Sequence, residues 1–239
     1  MIVFAFLLVI FFGLPFSKNE GGSGIVLPQD GVDGVDIDLD KYTSNREMVE
    51  AVRVDGDNIK KIVAALRRPA QYHISANSTI YYTGGQISKA AEVYFSDGVS
   101  RTIVYDGSGQ QERSCIINGD NVYIWEGVRG SVYSGSRGSF SADDYAFIPT
   151  YEDILELDDG DIISADYLLY NEMYCLVAET RDRLSGYRGL YYISAESGLL
   201  IGAQRFDGDT LVYSLSCSVL DAPITEENIF TLPDGTYVG

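Results

Sequence analysis

Two hydrophobic periods divide this chain. In residues 57–68, Ile59, Ile62, Val63 and Leu66 fall at i, i+3, i+4 and i+7, which is one face of an amphipathic helix. Asp55 and Asp57 stand at its start, Arg67 and Arg68 at its end, and Pro69 stops it. Those charges complement the helix dipole, so the Arg pair needs no ligand to explain it. A second short helix is expected over 43–52. From residue 71 the period becomes two. Tyr72, Ile74, Ala76, Ile80 and Tyr82 share one side of a strand, and His73, Ser75, Asn77, Thr79 and Tyr81 share the other. Strands then follow over 91–95, 99–105, 113–117 and 122–126, separated by turns at Asp97-Gly98, 106–109 and Gly119-Asp120. The connections leave no room for crossover helices, so this half is an up-and-down meander.

The pattern breaks over 130–144, a Ser- and Gly-rich stretch with Tyr133 and Phe140 embedded, read as a loop inside one domain. A short helix is expected over 150–157, with Thr150 and Asp153 forming a capping-box-like start and Ile154 and Leu157 as anchors. Five further strands are expected over 162–170, 173–180, 190–194, 199–206 and 211–220. In the last, Leu211, Tyr213, Leu215, Cys217 and Val219 alternate with a largely Ser face. The predicted fold is mainly β: a curved antiparallel meander of about ten strands, a half-barrel, with the amphipathic helix in its concave face.

The N-terminus adds a compartment. Residues 1–12 are uniformly apolar, Gly13 to Phe16 extend the run, and the first charge is Lys18. The run is short for a membrane span and closer to a secretory h-region, although no basic residue precedes it and no Ala-x-Ala site follows. The expected layout is a signal-like or anchor segment with its tether over 1–24, an acidic lead-in over 25–56 and one half-barrel domain over 57–239. The protein is read as extracytoplasmic, secreted or held at the cell membrane, with membrane contact through residues 1–16 if they are retained.

Charge and residue counts remove several chemistries. Lys plus Arg number 17 against 35 Asp plus Glu, a net charge of −18, which repels nucleic acid. A single His and no Cys-x-x-Cys remove His-based triads, multi-His metal sites and zinc ribbons. His73 falls on a polar strand face and is expected to face solvent. Cys115, Cys175 and Cys217 sit in strand-like runs and read as small buried hydrophobes. Asp36, Asp38 and Asp40 have the spacing that opens a calcium loop, but the turn Gly and closing Glu of an EF-hand are missing. That run reads as a solvated acidic lead-in. No metal or cofactor is expected.

One stretch resembles a known superfamily. Residues 192–200, YISAESGLL, followed by Gln204 and Asp207-Gly208, resemble the acid–small–Gly–Leu turn and the acidic Gly turn of the LolA-like lipoprotein carriers. The run 228–235, NIFTLPDG, resembles the Phe-x-hydrophobic-Pro-x-Gly ending of the same superfamily. The chain is also similar to uncharacterised exported Gram-positive proteins, as in PTYEDIL over 149–155. The superfamily includes the outer-membrane lipoprotein carrier, mycobacterial lipid-binding lipoproteins and the sigma-factor regulator RseB. The resemblance implies a half-barrel with helices in its mouth, a taste for acyl chains and no catalytic residues to carry over. The specific match covers about residues 190–236. The chain departs from the lipoprotein carrier in its acidity and in its Ser/Gly loop.

Three functions follow as expectations. The first is a non-enzymatic binding protein for a lipid, a lipoprotein acyl chain or another apolar small molecule. Ile59, Ile62, Val63 and Leu66 from the helix and Trp125, Tyr213 and Leu215 from strands are its expected ligand-binding lining. The second is a membrane-anchored regulatory or sensory ectodomain that binds a membrane-associated protein, with a basic partner favoured by the acidic surface. The third is a hydrolase using paired carboxylates drawn from Glu152, Asp153, Asp158, Asp159 and Asp161.

Overall fold

A computed structural model describes residues 41–139, 148–220, 224 and 228–239. The apolar run, the acidic lead-in up to residue 40 and residues 140–144 of the Ser/Gly stretch lie outside the described residues.

Three helices and eleven strands make up the described fold. The helices are α1 (Asn45–Ala51), α2 (Ile59–Ala65) and α3 (Glu152–Glu156). The strands of the first half are β1 (Gln71–Tyr82), β2 (Gly85–Ser96), β3 (Val99–Tyr105), β4 (Gln111–Asn118), β5 (Asn121–Glu126) and β6 (Tyr133–Ser136). Those of the second half are β7 (Ile162–Tyr170), β8 (Met173–Arg181), β9 (Arg188–Ser194), β10 (Leu200–Asp207) and β11 (Thr210–Leu220). All join one open antiparallel sheet in the order β6-β5-β4-β3-β2-β1-β11-β10-β9-β8-β7. This is the mainly-β, helix-covered meander that the period-two pattern predicts.

The order contains two meanders joined at their oldest and newest strands. β1 pairs with β11 from His73↔Leu220 to Ile80↔Tyr213. The chain therefore leaves β6 at one edge of the sheet and resumes with β7 at the other. Ahead of β7, α3 packs on the same face as α1 and α2. β6 is the strand that the sequence does not announce. Its YSGS has no apolar alternation, and it is held by backbone pairing to β5, from Asn121↔Ser136 to Ile124↔Tyr133.

The main core lies between the helices and one sheet face. Met48 and Val49 of α1, Ile59, Ile62 and Val63 of α2, and Ile154 of α3 are buried against Ile74, Ala76, Ala91, Leu176, Ala178, Ile193, Ala203, Leu215 and Cys217 of the sheet. A second cluster lies on the opposite face. There Val99, Ile116 and Trp125 are covered by Ile229 and Phe230 of the C-terminal segment. That segment is the 228–235 run of the resemblance. It turns back on itself through the bridge Thr231↔Tyr237 and is fixed by Arg101 donating to the Ile229 carbonyl (2.7 Å) and Asn118 donating to the Val238 carbonyl (2.7 Å).

Helix α2 ends at Ala65, three residues short of the predicted Arg68. Pro69 disfavours helical backbone at Arg68, and Leu66 is already extended at φ −60°, ψ 131°. Arg68 instead turns back and donates to the carbonyls of Val63 (2.6 Å) and Leu66 (3.0 Å), so it caps the helix end directly. Its guanidinium also lies 3.6 Å from the Tyr151 ring centroid. His73 occupies the polar face but does not face open solvent. It is half-buried, stacks on Tyr94 at 4.1 Å and pairs with Glu92 through Nε2. The three cysteines are free and buried, and burial pushes their thiols up to about 12 at Cys115, about 11 at Cys175 and about 12 at Cys217.

Candidate functional site

The site grows from the way α1 and α2 are pinned to the sheet. Asn45, the first residue of α1, is buried and holds three backbone groups. Its amide nitrogen donates to the carbonyls of Arg67 (2.6 Å) and Glu196 (2.9 Å), and its oxygen accepts from the Arg67 N–H (2.7 Å). The β9–β10 turn thereby meets the end of α2. Gly198 makes that contact possible. Its φ is 71°, and a Cβ there would stand 3.1 Å from both Leu66 Cβ and Arg68 Cγ. The acid–small–Gly–Leu turn seen in the sequence is thus a clasp for the helix pair.

Beyond the clasp the helices are short, seven residues each for α1 and α2. Between the end of α1, the connecting segment 52–55 and strand β7 lies a depression of about 650 Å³. Val49, Val52, Val54, Ala165 and Tyr167 give it an apolar floor that is continuous with the main core. Glu50, Arg53, Asp55 and Asp166 form its polar rim. Tyr167 closes one side, its hydroxyl donating to Glu50 at 3.3 Å while Arg46 bonds the same carboxylate at 2.8 Å. Gly56 packs over the start of β7, its Cβ position lying 3.7 Å from Ile162 Cγ2.

The structure brings six of the seven predicted lining residues together. Ile59, Ile62, Val63, Leu66 and Leu215 are buried in the helix–sheet core, and Tyr213 packs half-buried against it. Trp125 is set apart. It pairs with Ser114, which belongs with Ile103, Glu92 and Ser75 on the face opposite Leu215. There it lines a smaller depression of about 380 Å³ with Arg101, Asn228, Thr231 and Leu232. Its indole N–H has no hydrogen-bond partner among the described residues. The residues that sequence reasoning missed are Val49, Val52, Val54, Ala165 and Tyr167. Val49 and Val52 fell within the second predicted helix, and their spacing was the available signal.

The carboxylates proposed for hydrolysis are dispersed. Asp159 pairs with Lys60 (3.0 Å) and Asp161 with Arg183 (2.7 Å). Glu152 is exposed at the start of α3. Asp153 is half-buried, and its carboxylate accepts the Thr150 N–H at 2.5 Å, the acid's half of the expected capping box. Burial, reinforced by Glu156 and Glu152 and opposed by the Thr150 N–H and Arg205, pushes Asp153 up to about 6. Among the described residues, no group of three His, Cys, Asp or Glu could hold a metal ion. No helix of the described residues is long and apolar enough to cross a membrane.

The Asp153 shift has a pH consequence. Below the ordinary carboxyl range the group is neutral in both folded and unfolded chains and contributes nothing. As pH rises towards 6 the unfolded chain ionises first, so stability falls, and the full cost is present above 6. Asp153→Asn removes the charge and keeps an oxygen for Thr150. It is expected to stabilise the protein on the order of 2 kcal/mol at pH 8 and not at all at pH 3.5. Urea titrations of both proteins at the two pH values check this. An equal effect at both would assign the change to something other than the carboxyl.

No protein-family model matches the chain, and no curated protein matches it. The chain has distant likenesses among solved structures. One is an uncharacterized conserved protein from Thermus thermophilus, at 12% identity and a TM-score of 0.45, covering 71% of this chain and 90% of that one. A LolA superfamily protein from Nitrosomonas europaea has 10% identity and a TM-score of 0.34, covering 79% of this chain and 98% of that one. LprF from Mycobacterium bovis has 11% identity and a TM-score of 0.32, covering 65% of this chain and 87% of that one. The LolA superfamily is the one that residues 192–200 and 228–235 resemble.

Proposed function

We propose that this protein is a non-enzymatic, extracytoplasmic binding protein for an apolar ligand such as a lipid or an acyl chain, associated with a membrane through residues 1–16. The observation that carries the reading is the depression of about 650 Å³ beside β7, whose valine floor runs directly into the helix–sheet core. Its size lies within the usual range of small-molecule pockets, about 300–1,000 Å³, and its apolar floor with a polar rim suits an amphiphile. The reading rests on this geometry and not on the distant structural likenesses.

The depression is the mouth, and the inner lining is the set Ile59, Ile62, Val63, Leu66, Tyr213 and Leu215. The helix residues of that set pack directly against its strand residues in this structure, so a long ligand displaces α1 and α2 outward as it enters. The helices are suited to that movement. They are short, and residues 52–55 between them belong to neither a helix nor the sheet ladder.

Filling the mouth tests the reading. Ala165 is half-buried on the depression's floor, and Ala165→Trp is expected to block access with little effect on the thermal midpoint. Binding of a fluorescent fatty acid to the full chain should weaken at least roughly tenfold, the scale of 1.4 kcal/mol. Native mass spectrometry of the gently purified wild type should show a co-purifying lipid that the variant lacks. Unchanged binding by Ala165→Trp would reject the depression as the mouth. A wild type that binds neither probe nor lipid would reject the function.

A further inference from the structure

The β7–β8 hairpin is apolar on both sides of its tip. Leu168 pairs with Cys175 and Leu169 with Tyr174, so the two leucines point to opposite faces of the sheet. Leu169 is 59% exposed, Leu168 40%, Met173 41% and Tyr174 39%. The two residues between the strands, Asn171 and Glu172, have φ of 48° and 65°, both in the left-handed region that tight hairpin turns require. A surface strand pair ordinarily alternates apolar inward with polar outward. Four adjoining exposed apolar side chains on a tightly turned tip have the form of a wedge for an apolar phase.

The course of the chain identifies that phase. The described residues begin at Lys41, and within five residues the chain is against the hairpin: Arg46 stands 4.3 Å from the Tyr174 ring centroid. Asn45 donates to Glu196, and the neighbouring Ala195 N–H donates to the Tyr174 carbonyl at 2.9 Å. The N-terminal segment thus joins the domain at the hairpin end of the sheet. Upstream lie residues 17–40 and the apolar run 1–16. A chain of 24 residues can span up to about 80 Å, so a bilayer holding the run stands within reach of the tip. A net charge of −18 gives no attraction to anionic lipid, and the only charged side chain in the turn is Glu172. The contact is therefore apolar.

We propose that the β7–β8 hairpin tip, through Leu168, Leu169, Met173 and Tyr174, docks into the interface of a zwitterionic lipid bilayer. The proposal rests on the membrane association of residues 1–16 and not on the ligand. Tyr167, one residue before the tip, lines the depression, so docking turns the mouth towards the bilayer.

The test places an environment-sensitive probe on the full chain in phosphatidylcholine vesicles. The three native thiols are buried, so Met173→Cys carries the label. Leu184→Cys, 75% exposed in the loop at the opposite end of β8, is the control. The expected result is a severalfold rise and blue shift of emission at position 173, quenched by brominated acyl chains, with no change at 184. Adding Leu168→Asp and Leu169→Asp should abolish the signal while the protein still floats with the vesicles. Flotation with a water-like probe at 173 overturns the docking and assigns the hairpin to a protein surface. A probe still quenched in the double Asp variant overturns the role of the leucines. Failure to float, with a water-like probe, overturns both the docking and the membrane association.

Discussion

Asn45→Ala is expected to destabilise the protein by at least about 3 kcal/mol, among the largest effects of any single polar substitution in the fold. The side chain makes three hydrogen bonds to backbone groups from two distant segments, Arg67 and Glu196. Removing it leaves an N–H and two carbonyls without their partner in a part-buried joint, and each such group costs about 1–3 kcal/mol when water cannot replace the partner. Asn45→Asp is expected to do little better. It can still accept from the Arg67 N–H, but it sets a carboxylate against two carbonyl oxygens. Equilibrium urea unfolding checks both. A loss below about 0.5 kcal/mol, the ordinary range for a surface substitution, would show that the β9–β10 turn does not need the clasp.

Ile62→Ala is the second large effect, and it separates stability from function. Ile62 is fully buried at the centre of the helix–sheet core, where truncation to Ala costs about 2–5 kcal/mol. Ile116 is equally buried but belongs to the cluster on the other face, so Ile116→Ala should cost a similar amount. The two differ in what they do to ligand. If α2 lifts to admit an apolar chain, Ile62→Ala weakens its hold and enlarges the space beneath it. Uptake of a fluorescent fatty acid should then be faster with Ile62→Ala and unchanged with Ile116→Ala, measured by stopped-flow under conditions where both remain folded. Equal uptake by the two variants would refute a ligand path beneath α2.

The sheet was largely legible because its strands alternate and its turns carry Gly, Asn and Asp. In β11, Tyr213, Leu215 and Cys217 fall on the core face as their spacing predicts, facing Ile80, Ser78 and Ala76 of β1. The face of Trp125 was not legible. Its side follows from a chain of pairings through Ser114, Ile103, Glu92 and Ser75, and an error of one residue in any intervening register would reverse it. The central seam was illegible for a different reason. Nothing local in residues 71–82 says that their second neighbour lies in the last strand. The depression combines both difficulties. Segment 52–55 and Ala165 come from distant parts of the chain, and their meeting depends on β7 lying at the edge of the sheet. The clasp was visible as a motif before its purpose was. Gly198 marked a turn, but only the position of Leu66 and Arg68 against it explains why a side chain does not fit.

The seam between β1 and β11 also sets a timetable. Strands β1 to β6 find their neighbours within a few residues, so the first meander can form while the chain is still being made. β1 cannot complete its second edge until β11 exists, well over a hundred residues later. At ordinary synthesis rates that interval is on the order of 10 s. Throughout it, a twelve-residue strand presents an open ladder that any other extended chain could occupy. Protection of that nascent edge is therefore a requirement of the topology, and the newborn half-sheet is the form of this protein most exposed to aggregation.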